Sequence, residues 1–291
     1  MMCCASCGIA EVDNTKLKAC TACKLVRYCS VKCQRDHRPQ HKKECKKRAS
    51  ELRDEILFKQ PESTNEGDCP ICLLPLPLDI SNTFMTCCSK SICQGCEYAN
   101  LMREIDQLLD STCPFCRHPS PGNDDEAKMN VMKRIEVNDP VAMCQMGKRR
   151  FHEGDYNSAF DYYTQAAGLG DVGAHYELSV MYRECVGVEK DKKKELHHLE
   201  QAAIGGHVIA RHNIGCVEWN NGRNDRAVKH FILAANFGYD DSIQALKKIY
   251  AGGDVSKEDY ASALRAHQVA VDATKSPQRE VGEAFFREWG E

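Results

Sequence analysis

Beyond position 139, apolar residues recur at helical spacing, and short polar or glycine-containing stretches separate the segments. Small residues mark the period. Alanine pairs stand at 166–167, 202–203 and 234–235, spaced 36 and 32 residues apart. A second set of small residues recurs at intervals of 32, 36 and 32, at Ala142, Ala174, Ala210 and Ser242. A period near 34 residues is typical of helix pairs stacked into a solenoid.

The same pattern predicts which side chains form the core of the solenoid. Small residues are expected where neighbouring helices approach closely. The larger apolar residues that we expect to fill the space between repeats are Leu178, Tyr182, Ile214, Phe231, Leu246 and Tyr250. Three isolated cysteines, Cys144, Cys185 and Cys216, are interpreted as small apolar core residues.

One segment of this array carries a family resemblance. Residues 174–206, with the sequence GVEKD as the loop between two helices, resemble a Sel1 repeat. Aligned on this segment, the repeats are predicted at 139–170, 174–206, 207–239 and 240–273, and the last one departs most, as a terminal cap would. The resemblance implies a concave protein-binding surface without chemistry of its own.

The first half of the chain is organised by cysteine spacing instead. Of the 19 cysteines, only three lie beyond position 117. The first set of regularly spaced ligands is Cys4, Cys7, Cys20, Cys23, Cys29, Cys33, His41 and Cys45, and Cys3 is an alternative to Cys4. Cys29 and Cys33, and likewise His41 and Cys45, are one helical turn apart, so each pair faces one way. Eight ligands predict two tetrahedral zinc ions.

This set, with Tyr28 just before Cys29 and Gln34 just after Cys33, resembles the MYND finger. The resemblance implies that Cys4, Cys7, Cys29 and Cys33 hold one zinc, and that Cys20, Cys23, His41 and Cys45 hold the other. It also implies that the finger binds short proline-containing peptides. One departure bears on peptide choice, because Arg38 stands where the family commonly has a tryptophan. The Asn-His and Gly-Glu-Glu segments of the methyltransferases that carry this finger are missing from the sequence.

A second set of cysteines lies between positions 69 and 116. It comprises Cys69, Cys72, Cys87, Cys88, Cys93, Cys96, Cys113 and Cys116. Repeated two-residue gaps again predict two zinc ions. The order of pairs resembles the RING finger in an all-cysteine form, which implies one zinc on Cys69, Cys72, Cys93 and Cys96 and another on Cys87, Cys88, Cys113 and Cys116. Lys90 stands where the usual RING has histidine, and a protonated amine cannot bind zinc, so Cys87 is expected to supply that ligand.

The RING resemblance has functional implications. In ubiquitin ligases of that family, residues at the positions of Ile71 and Pro114 touch the ubiquitin-conjugating enzyme, and an arginine at the position of Arg117 helps hold the loaded ubiquitin. Such a ligase would contribute by ordering the reactants. Against this, Asn100 and Leu101 stand where the family often has an aromatic residue. The two functional hypotheses are therefore a RING-type ubiquitin ligase and a non-enzymatic protein-binding adaptor.

Together these patterns predict a multidomain chain in which two small cross-braced zinc fingers, MYND and RING-like, precede an α-helical Sel1/TPR-like solenoid. Leu52, Ile56 and Leu57 have the spacing of an amphipathic helix between the fingers. The predicted domains are a MYND finger at 1–48, a helical linker at 49–68, a RING-like finger at 69–117, a linker at 118–138, repeats at 139–273 and a tail at 274–291. Phe285, Phe286 and Trp289 of the tail are expected to dock on the last repeat or to be disordered.

Charge and composition limit the partners and the compartment. The net charge is -3, but residues 1–60 carry 14 Lys and Arg against 7 Asp and Glu. Because the positive charge is concentrated at 41–48, it is interpreted as a solvated helix face, and nucleic acid is not the expected partner. The sequence has no secretory signal pattern and no long apolar stretch that would predict a membrane span. Regularly spaced, zinc-type cysteines predict a reducing compartment, the cytoplasm or the nucleus. The expected partners are proteins: a conjugating enzyme, proline-containing peptides and an unidentified substrate.

Overall fold

The chain forms two separately folded units, Met1–Lys59 and Gln60–Glu291. The computed structural model describes residues 2–11, 16–78 and 82–289; of Trp289, the backbone alone is described. Each unit contains one of the two cysteine-rich segments. The second unit also contains the helical repeats, so the second finger and the repeats fold together.

The first unit is a short hairpin followed by one long helix. Strands β1 (Lys18–Ala19) and β2 (Arg27–Tyr28) are antiparallel, with Lys18 opposite Tyr28. Helix α1 (Val31–Leu57) begins after Ser30, whose side chain accepts a hydrogen bond from the Cys33 amide at 3.2 Å. The core of this unit consists mainly of cysteines, with Leu17 and Tyr28 as its largest buried side chains. So small an apolar core predicts that metal supplies much of the stability.

Helix α1 continues through the boundary predicted at residue 48. The amphipathic stretch of Leu52, Ile56 and Leu57 belongs to this single helix, and a separate linker helix does not form. No glycine or proline occurs between positions 40 and 60 to end it. Pro39 lies inside α1, one turn after Arg35.

The second cysteine-rich segment also contains a hairpin followed by a helix. Strands β3 (Asn82–Met85) and β4 (Lys90–Cys93) are antiparallel, with Met85 opposite Lys90. Helix α2 (Gln94–Asp106) follows directly. Its buried Glu104 accepts hydrogen bonds from the Thr112 amide at 2.9 Å and the Thr112 hydroxyl at 3.1 Å, which tie the end of α2 to the segment carrying the last cysteine pair.

The linker predicted at 118–138 contains a helix. Helix α3 (Asp124–Glu136) begins after Asn123, which caps the Glu126 amide at 2.9 Å. The acidic residues of the run lie in its first turn and Lys133 and Arg134 in its last, the arrangement that the helix dipole favours. Val131 of α3 packs with Ala142 and Met146, and Phe84 of β3 packs against the same cluster. This apolar cluster joins the finger to the first repeat.

Paired helices follow, as the alanine period predicts. In the described residues each predicted repeat contains two helices. They are α4 (Pro140–His152) and α5 (Tyr156–Gly168), α6 (Val172–Glu184) and α7 (Lys192–Ile204), α8 (Val208–Asn220) and α9 (Asn224–Ala235), and α10 (Asp240–Gly252) and α11 (Lys257–Ala273). The recurring small residues Ala142, Ala174, Ala210 and Ser242 are all fully buried. The fold is therefore a zinc-finger N-terminus followed by a helical-repeat solenoid.

Close packing within the pairs explains two glycines. A methyl group added to Gly147 of α4 would lie 2.6 Å from the ring of Tyr163 on α5. One added to Gly215 of α8 would lie 2.7 Å from the ring of Phe231 on α9. The equivalent position in the second repeat is Ser179, again small. Helices α4 and α8 thus leave room for a large side chain of the helix paired with each.

Two of the predicted core assignments are wrong. Tyr250 is exposed to 37% and stacks on Tyr260 of α11, with 4.9 Å between ring centroids, so it lies at the surface of the last helix pair. Cys185 is exposed, since it ends α6 in a left-handed conformation instead of pointing into the core. Cys144 is buried and Cys216 half-buried, as expected of core positions.

The tail forms a helix, α12 (Pro277–Trp289), that packs on α2 of the second finger and not on the last repeat. A methyl group on Gly95 would lie 2.7 Å from the Arg279 backbone, and one on Gly282 would lie 2.7 Å from the Gln94 carbonyl. The two helix backbones therefore meet at these glycines. Phe285 contacts the Tyr98 ring at 5.0 Å between centroids. The side chain of Trp289 lies outside the described residues.

In the part of the chain that the structure describes, every helix is too short or too polar to cross a lipid bilayer.

Candidate metal centres and the groove on the first finger

Four CxxC segments share one backbone geometry. In each, the residue after the second cysteine has a left-handed backbone conformation. Its amide donates a hydrogen bond to the carbonyl of the first cysteine at 2.8 to 2.9 Å. This turn points two sulfurs at one centre, which is the physical reason that the two-residue gap predicts a metal. The left-handed residues are Gly8, Lys24, Leu73 and Arg117.

The structure assembles four groups of ligands from these turns and their partner segments. In each group the ligand atoms lie within 4.8 Å of one another. In the first unit the groups are Cys4, Cys7, Cys29 and Cys33, and Cys20, Cys23, His41 and Cys45. In the second unit they are Cys69, Cys72, Cys93 and Cys96, and Cys87, Cys88, Cys113 and Cys116. These are the four sets that the sequence predicts, and in both fingers the pairs interleave.

The turn at Cys87 and Cys88 differs from the other four. The Ser89 amide donates to the Met85 carbonyl at 2.9 Å, and Ser89 is left-handed. Met85 therefore occupies the place of a first cysteine, and Cys88 that of a second. Cys87, one residue earlier, reaches the same centre, with its sulfur 3.4 Å from that of Cys116. Lys90 is exposed and belongs to no ligand group.

Sulfur spacing fits tetrahedral zinc. A zinc–sulfur bond of about 2.3 Å places neighbouring sulfurs of a tetrahedron ~3.8 Å apart. Six sulfur–sulfur distances within the groups lie between 3.4 and 3.9 Å, including Cys20 to Cys45 at 3.7 Å and Cys72 to Cys93 at 3.8 Å. The Nε2 atom of His41 lies 3.1 Å from the Cys23 sulfur. The four groups are compatible with about four zinc ions.

The thiol pKa values show why these clusters need a cation. A hydrogen bond from Cys93 lowers the pKa of Cys69 to about 4, and the same contact raises the pKa of Cys93. Burial raises the pKa of Cys96 to about 12. In the other group, burial raises the pKa of Cys88 to about 11 and also raises that of Cys87. Four thiolates cannot be held together at neutral pH unless a metal offsets their charge.

Neighbouring candidates stay outside the groups. Cys3 is exposed and is not a member of the group that contains Cys4. His37 is also outside the ligand groups, and it is half-buried. Its Nδ1 is hydrogen-bonded to the Tyr28 hydroxyl at 3.0 Å, and its ring stacks on that of His41 at 5.6 Å.

The residues predicted to touch a conjugating enzyme lie at the tips of the second finger's turns. Ile71 is exposed to 41%, and Arg117 is exposed in its left-handed conformation. Pro114 is half-buried, beside the exposed Phe115. Asn100, at the position where ligases often carry an aromatic, donates to the Thr112 carbonyl at 3.2 Å, so it holds the last cysteine turn in place.

Arg279 of α12 is a residue of this site that sequence reasoning missed. It is 2% exposed and donates to the Cys72 sulfur at 3.3 Å, to the Leu74 carbonyl at 3.0 Å and to the Pro75 carbonyl at 2.6 Å. Burial acts to lower its pKa, but the hydrogen bond to Cys72 and the negative charge of Cys93 outweigh burial and raise the pKa. More than 200 residues separate it from Cys72, and no local pattern in the tail indicates the contact.

The first finger has an open groove of about 190 Å³ along α1, which we call the α1 groove. Apolar parts of Ala22, Tyr28 and Ala49 line it. Its polar lining comes from residues one or two turns apart on α1: Gln34, Arg38, His41, Lys42 and Lys46; Cys20 and Cys45 complete it. The groove therefore lies directly against the Cys20, Cys23, His41 and Cys45 centre.

Comparison with known proteins identifies one segment. Residues 4–45 match the MYND finger family. A search of curated proteins gave no significant match to the chain.

Among solved structures, a Sel1 repeat protein from Oxalobacter formigenes is 25% identical, with 62% of this chain and 72% of that chain covered and a TM-score of 0.45. The protective antigen c5321 of uropathogenic Escherichia coli, which displays an SLR fold, is 16% identical, with 67% and 46% covered and a TM-score of 0.45. The class of protein follows from the chain itself: a MYND finger and a second cysteine-rich finger joined to a helical-repeat solenoid.

Proposed function

We propose that the protein is a non-enzymatic adaptor that binds a proline-containing segment of another protein in the α1 groove. The observation that carries this proposal is the groove itself. It is open, has apolar walls from Ala22, Tyr28 and Ala49, and has hydrogen-bonding groups along one side. A preformed groove of this kind suits an extended peptide, whose backbone needs polar partners and whose prolines need apolar contact.

The ligand groups support a structural role for the metal. Each of the four groups supplies four protein ligands, so the coordination shell of a tetrahedral zinc ion is complete and no position is open to a substrate. Zinc then fixes the shape of each finger and leaves recognition to the protein surface. The solenoid is proposed to hold a second polypeptide, so that the chain brings two proteins together.

Blocking the groove tests the proposal. Binding of fluorescent proline-containing peptides to the zinc-loaded protein is compared for Ala49→Arg, which fills the groove, and Ser50→Arg, which places the same side chain at an exposed neighbour outside it. We expect Ala49→Arg to abolish binding and Ser50→Arg to leave it unchanged. Failure of the folded wild type to bind any member of a broad peptide set would overturn the proposal.

A RING-type ubiquitin ligase is the second candidate. It is favoured by the interleaved cysteine groups of the second finger and by the exposure of Ile71 and Arg117 at its turns. The engaged Asn100 weighs against it, because a polar side chain tied to Thr112 replaces an aromatic contact. The adaptor proposal therefore comes first.

Discharge of ubiquitin from a panel of loaded conjugating enzymes separates the two candidates. The ligase predicts discharge that Ile71→Ala and Arg117→Ala abolish, whereas Val269→Ala and Arg287→Ala, at exposed sites in α11 and α12, have no effect. The adaptor alone predicts no acceleration with any enzyme. If discharge is accelerated equally by the wild type and all four variants, the assignment of Ile71 and Arg117 to contacts with the conjugating enzyme and ubiquitin is wrong.

A further inference from the structure

The α1 groove carries an unbalanced positive charge. Arg38, Lys42 and Lys46 succeed one another at four-residue intervals on α1, so they form one row along the groove, and all three are exposed. Among the described residues that line the groove there is no aspartate or glutamate.

Two arginines of this unit are paired with carboxylates, unlike the three cations of the groove. Arg48 pairs with Glu51 at 3.2 Å and with Glu55 at 2.8 Å, and Arg27 pairs with Glu11 at 3.5 Å. Within the described residues 2–11, 16–78 and 82–289, no carboxylate lies within ion-pair distance of Arg38, Lys42 or Lys46.

The adjacent metal centre does not cancel this charge. With zinc bound, the three thiolates of Cys20, Cys23 and Cys45 and the neutral His41 give a centre with one net negative charge. Three cations of the row exceed it, so the groove keeps about two positive charges. The net charge matters because a peptide in the groove would lie against both the zinc centre and the row of cations.

We propose that the segment bound in the α1 groove is acidic, with carboxylates beside its proline-containing core. This inference rests on the proposed adaptor function and names its partner class. Arg38 stands where the resemblance leads one to expect tryptophan, so part of the apolar contact is exchanged for a planar cation. A guanidinium binds a carboxylate through two parallel hydrogen bonds, and Lys42 and Lys46 extend the attraction along the chain of the peptide.

Three matched peptides test the inference on the full zinc-loaded chain. They share one proline-containing core and differ only in flanking residues, which are glutamate, glutamine or lysine. We expect the glutamate peptide to bind on the order of tenfold more tightly than the glutamine peptide, and the lysine peptide to bind most weakly. The difference should shrink as salt is raised, because exposed charges are screened.

Charge reversal on the protein locates the effect. Arg38→Glu and Lys42→Glu should each lower affinity for the glutamate peptide and raise it for the lysine peptide, whereas Lys32→Glu and Lys43→Glu, exposed on α1 outside the groove, should do neither. Circular dichroism and zinc content check that each variant is folded. The gain of binding by the lysine peptide cannot come from an unfolded variant.

The outcomes distinguish this inference from the function on which it rests. Equal affinity for the glutamate and glutamine peptides, still lost in Ala49→Arg, would overturn the acidic preference and leave the adaptor standing. Absence of binding by all three peptides, with a broader set also negative, would overturn both. Tighter binding of a single-stranded oligonucleotide, weakened by Arg38→Glu, would overturn the peptide assignment in favour of nucleic acid.

Discussion

Cys87 shows how an unusual residue pair can complete a metal site. It lies one residue before Cys88 in a turn closed by the Ser89 amide and the Met85 carbonyl. Because the turn directs Cys88 as the second cysteine of an ordinary pair would be directed, Cys87 needs only to reach across to Cys116. Cys87 thereby completes the group of four ligands with Cys88, Cys113 and Cys116.

Zinc content tests this role of Cys87. We expect the wild type to hold about four zinc ions and Cys87→Ser to hold about three after brief exposure to a weak chelator, because one tetrahedral site loses a ligand. Cys185→Ser, at an exposed cysteine outside the groups, should keep all of them. Equal zinc content in the two variants, by elemental analysis, would exclude Cys87 as a ligand.

Arg279 is predicted to protect the centre at Cys72. Arg279→Met removes a hydrogen bond to the Cys72 sulfur and leaves the carbonyls of Leu74 and Pro75 without this donor, so we expect destabilisation of about 2–4 kcal/mol and faster zinc release from one site. The release is followed with a chromogenic chelator.

The control for Arg279 lies on the same helix. Arg287→Met changes an exposed arginine of α12 and should leave release unchanged. Substitution of the zinc by ¹¹³Cd gives a second measurement, since Arg279→Lys should shift one cadmium resonance and leave the others in place. If zinc release and the ¹¹³Cd spectrum are both unchanged in the Arg279 variants, Arg279 does not stabilise the centre at Cys72.

His207 makes the solenoid sensitive to acid. Burial lowers its pKa to about 3, while an unfolded histidine titrates near 6.5. The unfolded state therefore binds the proton first, and stability falls as pH drops below the unfolded value, by about 2 kcal/mol between pH 7 and pH 5. His207→Asn retains an acceptor for the Ala210 amide but cannot titrate there, so its urea midpoint should vary less with pH. His152→Asn, at an exposed position, should behave as the wild type; an equal pH dependence in all three proteins would contradict the assignment.

At the scale of elements, the helix pairs depend on small residues facing large ones. Gly215→Ala should destabilise the solenoid by about 1–3 kcal/mol, because the new methyl group would meet the Phe231 ring at 2.7 Å. Gly168→Ala should be neutral or stabilise by up to about 1 kcal/mol, since it lies in α5 with nothing within 4 Å of the added group. Thermal unfolding of the two variants measures the difference. A loss of stability in Gly168→Ala as large as in Gly215→Ala would point to an effect of alanine itself instead of packing.

Helix α3 shows how far the local sequence pattern defines an element. The acidic run in the first turn of α3 and the basic residues at its end are helix signals, but prolines and glycine around position 120 favour a linker interpretation. The helix is retained because Val131 has an apolar surface to cover, shared with Met146 and Phe84. Part of this burial comes from Phe84, on a strand of the second finger that precedes α3 in the chain.

At the scale of the molecule, metal and helix packing stabilise different parts. Removal of zinc by a strong chelator should abolish the hydrogen-exchange protection of the two fingers, because their cores consist largely of ligands. Helix α12 should lose protection with them, since its contacts are with α2 and with the loop at Leu74. Helices α4 to α10 should stay protected. Continued protection of α12 in the chelated protein would show that it is held elsewhere.

The sequence by itself determined the spacing of the metal ligands and of the repeat, and the family resemblances supplied the grouping of the ligands. Metal ligands and buried alanines are constrained at short range, by a turn that needs a two-residue gap and by helices that meet every 32 to 36 residues, so their spacing remains visible along the chain. Tertiary structure alone decided the contact of Arg279 with Cys72, the packing of α12 on α2, and the exposure of Tyr250 and Cys185. These features depend on which surfaces are left uncovered after the repeats have stacked. The free energy that stabilises such packing comes from contacts between distant segments, and these contacts leave no periodic pattern in the sequence.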